Sequence, residues 1–105
     1  MKPDKVLSLL GIAMKAGGVL SGEFQTEKAV KEGKARLVIL AGDASDNTKK
    51  KFADMSSYYG VPFYTYADRE QLGHCIGKEF RASLAVTNRG LAESLRKHLD
   101  LITTE

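Results

Sequence analysis

The segment GKARLVILAGDAS, residues 33–45, decides the fold because it contains a strand that must be covered on both faces. Its residues 37–40, LVIL, are an uninterrupted apolar run. A strand with one face in water alternates apolar and polar residues, whereas a continuous apolar run is typical of a central strand. Gly33 ends the helix before this strand, and Ser45 or Asp46 can cap the helix after it. The segment therefore predicts a buried strand between two helices.

Outward from this strand, helical and strand patterns alternate along the chain. Apolar residues at helical spacing and punctuation by Gly, Asn and Asp define the remaining elements. Helices are expected at residues 4–15, 25–32, from the Ser45 or Asp46 cap to Gly60, at 68–76 and after Asn88, and strands at 19–20, 35–41, 61–66 and 84–86. Such alternation favours an α/β sandwich with helices on both faces of one sheet.

Length and composition limit the class of protein. A chain of 105 residues with 43% hydrophobic residues predicts a single domain, residues 1–105, with its own core. The single cysteine, Cys75, excludes a disulfide framework, and His74 and His98 lack metal-ligand spacing. The N-terminal segment favours a cytosolic helix over a signal peptide, and no run approaches a membrane span. We therefore expect a cytoplasmic protein without a membrane partner, and its net charge of +3 favours nucleic acid only weakly.

The candidate binding segment is SGEFQTEKAVKEGK, residues 21–34, in which a Gly stands where a helix should begin. The first amides of a helix lack partners and carry partial positive charge, so this end suits an anion, and Gly22 lets a phosphate approach closely. Lys28 and Lys31 extend the site along one side of the helix. The alternative is an ordinary solvated helix in which Glu23 and Glu27 pair with these lysines.

Two aromatic residues near basic side chains leave further alternatives open. Phe24 either packs inward as an anchor or stays exposed and stacks on an unpaired base. In the loop at residues 77–83, Phe80 and Arg81 either lie against nucleic acid or close the end of the core. Arg36, just before the buried strand, is a further candidate for a charge contact.

The remaining candidates favour structural roles. The run Lys49–Lys51 spreads around a helix, so at most one of its lysines would reach a phosphate. Asp43 follows the buried strand, but no phosphate loop of the form GxxxxGK[ST] precedes it, and a capping role is favoured over catalysis. Cys75 lies beside apolar residues and is expected to be a buried structural thiol. No metal or cofactor site is predicted.

Five segments occur in a characteristic order: SGEFQTEKAV, GKARLVILAGDAS, NTKKKF, YYGVPFYTYADREQLGHCIGK and ASLAVTNRGLAESL. From about Lys5 to Leu99 the chain resembles the L7Ae/L30e ribosomal protein superfamily of kink-turn RNA binders, and most of all its bacterial YlxQ-type branch. The resemblance implies a three-layer α/β/α sandwich with a central mixed four-stranded sheet. It also implies a non-enzymatic protein without cofactors that contacts structured RNA, ribosomal or kink-turn-like, through the start of the second helix and the loop before the last strand.

The family pattern begins this helix with Gly, followed two and three positions later by Asn-Glu and then by a Lys. Gly22 and Lys28 match, whereas Phe24 takes the Asn position and Gln25 the Glu position. Gln25 keeps an amide for a base edge, but Phe24 cannot make the hydrogen bonds by which tandem sheared G·A pairs are contacted. The RNA-binding residues implied are Gly22, Glu23, Phe24, Gln25, Lys28, Lys31, Arg36, Phe80, Arg81 and Ala82.

The function expected from the sequence is RNA binding, in association with the ribosome or ribosomal RNA. The alternative is a protein-interaction module on the same fold that has lost high-affinity kink-turn binding.

Overall fold

The computed structural model describes residues 4–103, which contain five helices and four strands in alternation. In chain order they are α1 (Lys5–Lys15), β1 (Val19–Ser21), α2 (Glu23–Lys31), β2 (Leu37–Leu40), α3 (Asp46–Tyr59), β3 (Phe63–Thr65), α4 (Arg69–Cys75), β4 (Ser83–Val86) and α5 (Arg89–Thr103). The order predicted from the sequence is confirmed. None of the helices in the described range has the length and apolar character needed to cross a membrane.

The four strands form one mixed sheet in the order β1-β4-β2-β3. β2 and β3 are parallel, while β4 runs antiparallel to both β1 and β2. In this register Ser21 lies opposite Leu84, and Leu40 lies opposite Ser83. The end of β1, the start of β4 and the end of β2 therefore lie at the same end of the sheet.

Helices cover both faces of the sheet, which makes the fold the expected three-layer α/β/α sandwich. Successive side chains of a strand point to opposite faces, so the continuous apolar run of β2 serves two cores. Leu37 and Ile39 pack with α1, α4 and α5, while Val38 and Leu40 pack with α2 and α3. All four side chains are fully buried. This two-sided burial is why the LVIL run has no polar position.

Capping side chains fix most helix starts where the sequence predicts them. Ser45 Oγ accepts from the Thr48 amide at 3.1 Å, which resolves the choice between Ser45 and Asp46. The capping box of α4 and the Asn88 cap of α5 are both present. These bonds are local in sequence, which is why they were predictable.

Several element boundaries differ from the prediction by one or two residues. α2 begins at Glu23 rather than at residue 25, since Gly22 is its N-cap. β2 and β3 are shorter than expected because the amides of Ala35 and Val61 donate back to the ends of α2 and α3.

Candidate nucleic-acid interface

The start of α2 and the loop before β4 lie side by side at one end of the sheet. The Gly22 amide donates to the Ser83 carbonyl at 3.0 Å, and the Ala41 amide donates to the Ala82 carbonyl at 2.8 Å. The antiparallel pairing of β4 with β1 and β2 produces this arrangement. Residues 22–28 and 80–82, the two regions named by the resemblance, thus form one surface, called here the Gly22 surface.

The N-terminus of α2 is open. Gly22 has φ 92° and ψ 157°, a conformation that is essentially restricted to glycine, and it offers no side chain to cap the helix. The first backbone bond of the helix runs from the Thr26 amide to the Gly22 carbonyl at 3.0 Å. Within residues 4–103, the amides of residues 23–25 donate to no protein acceptor. Three unpaired donors at a helix N-terminus are a favourable place for an anion.

Two aromatic rings on this surface are exposed. Phe24 is 73% exposed and Phe80 is 59% exposed. Inward packing of Phe24, one of the two alternatives, is therefore excluded. Gln25 is exposed beside Phe24 and keeps its side-chain amide accessible. The surface thus combines open backbone donors with apolar rings, a combination suited to phosphates and unpaired bases.

Arg81 links the loop to the end of β1, next to the start of α2. Its Nε donates to Ser21 Oγ at 3.1 Å, and a terminal nitrogen of its guanidinium donates to the Phe80 carbonyl at 2.7 Å. Its backbone amide also donates to the Arg69 carbonyl at 3.0 Å. A cationic side chain is thereby held beside residue 22. Ala82 lies half-buried at the base of the loop and packs on the core.

The positive charge of α2 is smaller than the sequence alone suggests. Lys31 pairs with Glu27 at 2.7 Å, and Lys51 of α3 pairs with Glu27 at 2.6 Å and with Glu23 at 3.2 Å. Hydrogen bonds from Lys31 and then from Lys51 lower the pKa of Glu27 from 4.5 to about 2. The expected row of two free lysines is therefore reduced to Lys28, which forms no ion pair within residues 4–103.

Two residues that contact the site were not among the RNA-binding residues expected from the sequence: Lys51, which pairs with Glu23 and Glu27, and Ser21, which accepts from Arg81. Of the run at residues 49–51, Lys51 alone is bonded to α2, because α2 and α3 pack side by side on one face of the sheet. Its hydrogen bond to Glu23 spans 28 residues, so no local pattern could reveal it.

Arg36 lies away from the Gly22 surface. Its amide donates to the Val86 carbonyl at 2.7 Å, at the start of β2, whereas residues 41 and 82 meet at the end of that strand. At about 3.3 Å per residue, the two ends are roughly 15 Å apart. Arg36 instead lines a pocket of about 310 Å³ together with Arg89 and Arg96. The structure thus brings together the predicted site residues at 22–28 and 80–82, whereas Lys31 lies at the C-terminal end of α2 and Arg36 at the other end of the sheet.

The remaining candidate residues have structural roles. An oxygen of Asp43 accepts from the Arg69 amide at 2.9 Å, so Asp43 caps α4 rather than the helix that follows it in sequence. Cys75, expected to be buried, is half-buried; burial, and next the charge of Asp4, raise the pKa of its thiol to about 11. Among residues 4–103, no group of three or more His, Cys, Asp or Glu side chains is arranged to hold a metal ion.

The chain matches one protein family and is similar in sequence to several of its members. The family model of the ribosomal protein L7Ae/L30e/S12e/Gadd45 family matches residues 4–96. The RNA-binding protein YlxQ of Bacillus subtilis is 46% identical over 92 residues, which cover 88% of this chain and 92% of that protein. The large ribosomal subunit protein eL30 of Methanoregula boonei is 34% identical over 79% of this chain and 84% of its own length.

Two solved structures share the fold. A protein of unknown function from Bacillus halodurans superposes with a TM-score of 0.90 and 41% identity, over 93% of this chain and 99% of that one. The Giardia lamblia 15.5kD RNA binding protein superposes with a TM-score of 0.79 at 19% identity, over 96% of this chain and 92% of that one. At that lower identity the likeness concerns the fold alone.

Proposed function

Because the chain belongs to the ribosomal protein L7Ae/L30e/S12e/Gadd45 family, we propose that it is a non-enzymatic protein that binds structured RNA through the Gly22 surface. The main support for the proposal is the open N-terminus of α2. Its three unpaired amides lie beside the exposed ring of Phe24 and the guanidinium of Arg81, which is held by its hydrogen bond to Ser21. The names of two relatives, RNA-binding protein YlxQ and a large ribosomal subunit protein, support the same ligand class and an association with the ribosome. We propose that this association takes place in the cytoplasm.

Each part of the surface has a separate role in this proposal. The amides of residues 23–25 and the side chains of Lys28 and Arg81 hold phosphate oxygens, since charge-assisted hydrogen bonds to phosphate are short and strong. Gln25 meets a base edge. Phe24 stacks on a base that is not paired, which a ring can do regardless of base identity. The RNA segment at this surface therefore contains at least one unstacked base, as in an internal loop or kink.

Removal of one phosphate contact tests the proposal. Cross-linking in cells followed by sequencing supplies an RNA fragment, and its affinity is then measured over a range of salt concentrations. Lys28→Gln should weaken binding and reduce the slope of log K against log salt by about 0.7–0.9, the value of one phosphate contact. Lys5→Gln is the matched control, because Lys5 is an exposed lysine on α1, in the other helical layer.

The outcomes separate the proposal from its rival. If Lys28→Gln and Lys5→Gln give the same affinity and slope as the parent protein, the Gly22 surface is not the RNA site. A second candidate function, a docking surface for a protein, is favoured by the exposed Phe24 and by the pairing of Glu23 and Glu27 with lysines. Recovery of a protein partner that is lost on Phe24→Ala, with no RNA cross-linked, would establish that rival.

A further inference from the structure

A second basic surface lies at the opposite end of the sheet. The pocket that Arg36 lines has a volume of about 310 Å³ and is formed by the start of β2, the segment after α3 and the first half of α5. Three arginines and one carboxylate line it: Arg36, Arg89, Arg96 and Glu93. We call it the arginine pocket. It shares no lining residue with the Gly22 surface.

The fold determines why these arginines converge. Arg36 is fixed by the bond of its amide to β4, next to which α5 begins. Arg89 and Arg96 are seven residues apart on α5, which is two helical turns and therefore the same helix face. The Asn88 cap, which accepts from the Leu91 amide at 2.9 Å, fixes the start of that helix.

The charge of this pocket is less compensated than that of the Gly22 surface. Within the described residues, neither Arg36 nor Arg89 forms an ion pair, and both are exposed. Arg96 lies near the Tyr64 hydroxyl, which donates to a carboxylate oxygen of Asp100. On α2, by contrast, the carboxylates of Glu23 and Glu27 already pair with Lys31 and Lys51.

Two exposed tyrosines adjoin the pocket. Tyr58 is 83% exposed and Tyr59 is 44% exposed, and their rings meet edge to face with centroids 4.9 Å apart. They immediately precede Gly60, which lines the pocket. Aromatic rings beside unpaired arginines suit nucleic acid, because guanidinium groups bind phosphate with two donors and the rings stack on bases.

From these observations we infer that the arginine pocket binds the phosphate backbone of a second RNA segment. One protein molecule then holds two RNA segments, at the two ends of its sheet. Arg36 and Arg89 bind phosphate oxygens, Arg96 adds positive charge, and Tyr58 contacts a neighbouring base. The pocket needs no contact at the Gly22 surface, so it can bind RNA whether or not that surface does.

Nuclear magnetic resonance with decauridylate as the probe tests the inference. The side-chain Nε–H signals of Arg36 and Arg89 should shift on titration, separately from the amides of residues 23–25. In the variant Arg36→Gln/Arg89→Gln the Arg96 Nε–H shift should shrink while the amides of residues 23–25 still respond. The slope of log K against log salt should fall by about 1.4, that is about 0.7 for each of two contacts with a single strand.

A variant at the Gly22 surface is the control, and a second anion, hexaglutamate, tests whether the pocket prefers RNA. Arg81→Gln should leave the shifts of the arginine pocket in place. If the Arg36 and Arg89 signals stay unmoved at saturating decauridylate, the inference is wrong, whatever the amides of residues 23–25 do. Hexaglutamate that shifts these signals at an equal or lower concentration than decauridylate also overturns it, and would identify an acidic protein segment as the ligand. Silent amides at residues 23–25 would instead count against the proposed function alone.

Discussion

At residue 24, an exposed phenylalanine stands where the resemblance to kink-turn binders leads one to expect asparagine. The ring lies in solvent beside the unpaired amides that open α2. It therefore contributes nothing to the core and cannot supply the polar contacts of an asparagine. Under the proposed function, stacking on an unpaired base is the contact that Phe24 makes with RNA.

Phe24→Ala should weaken RNA binding by about 1–3 kcal/mol, the usual contribution of one stacked base. Because stacking involves no charge, the slope of log K against log salt should not change. Titration calorimetry at three salt concentrations measures both quantities. The matched control is Ile12→Ala, which removes another exposed apolar side chain, on α1. Equal affinities for Phe24→Ala and the parent protein would contradict the stacking role.

The same position tests the kind of RNA that is bound. Phe24→Asn restores the side-chain amide that the kink-turn pattern has at this point. The variant should gain affinity for a kink-turn stem-loop and lose affinity for decauridylate, because it exchanges a stacking contact for hydrogen bonds. Paired titrations with the two RNAs measure this change. A parallel loss on both RNAs would show that residue 24 acts only through apolar contact.

At the scale of elements, α2 and α3 are joined by Glu27, which binds Lys31 and Lys51 simultaneously. This carboxylate therefore opposes the positive charge that an RNA site needs. Glu27→Gln should raise RNA affinity and steepen the slope of log K against log salt, by at most about 0.7–0.9 for each lysine that turns to a phosphate. The slope is measured as for Lys28→Gln, with Asp54→Asn as the control, because Asp54 is exposed on α3 and forms no ion pair within residues 4–103. An unchanged slope would show that Lys31 and Lys51 lie beyond reach of the RNA.

The same carboxylate makes a small, pH-dependent contribution to stability. Its pKa is lowered from 4.5 to about 2 in the folded protein, so the contribution is present above pH 4.5 and is lost as the pH falls toward 2. The group is near the surface, and the contribution at pH 7 should be below about 1 kcal/mol. Urea unfolding of the parent protein and Glu27→Gln at pH 7 and at the acid end measures it. A difference that grew toward low pH would contradict this assignment.

The start of α2 depends on a backbone conformation that only glycine adopts readily. Gly22→Ala places no Cβ within 4 Å of another group, so its cost comes from φ 92° alone. We expect a loss of about 1–3 kcal/mol in the free energy of unfolding and a weaker RNA complex. Gly33→Ala, at the other end of the same helix with φ 74°, should also reduce stability but leave RNA affinity unchanged. Equal RNA affinities for both variants would show that Gly22 serves the fold only.

At the scale of the whole molecule, the alternation of elements followed from the sequence because its signals are local. The LVIL run, the Asp68–Gln71 capping box and the Asn88 cap each lie within a few residues. The sequence did not reveal at which end of the sheet each site residue lies, because strand pairing between distant segments determines it. Arg36 lies next to α2 in the sequence, yet the antiparallel pairing of β2 with β4 places it at the far end of the sheet.

The charge balance of α2 likewise depends on one local and one long-range ion pair. Glu27 and Lys31 are four residues apart, and their pairing was one of the alternatives visible in the sequence. Lys51 reaches Glu23 only because two helices pack on one sheet face, which no spacing reveals. The molecule that results has a partly neutralised end with open amides and an opposite end at which three arginines line a pocket with one carboxylate, Glu93.

RNA bound at the Gly22 surface must cover the open amides of residues 23–25. Amide hydrogen exchange at these three positions, measured by nuclear magnetic resonance with and without a saturating RNA fragment, tests this. Unpaired and exposed amides should exchange rapidly in the free protein and at least about tenfold more slowly in the complex, because phosphate oxygens accept their hydrogen bonds. Rapid exchange that persists in the saturated complex would contradict the central claim.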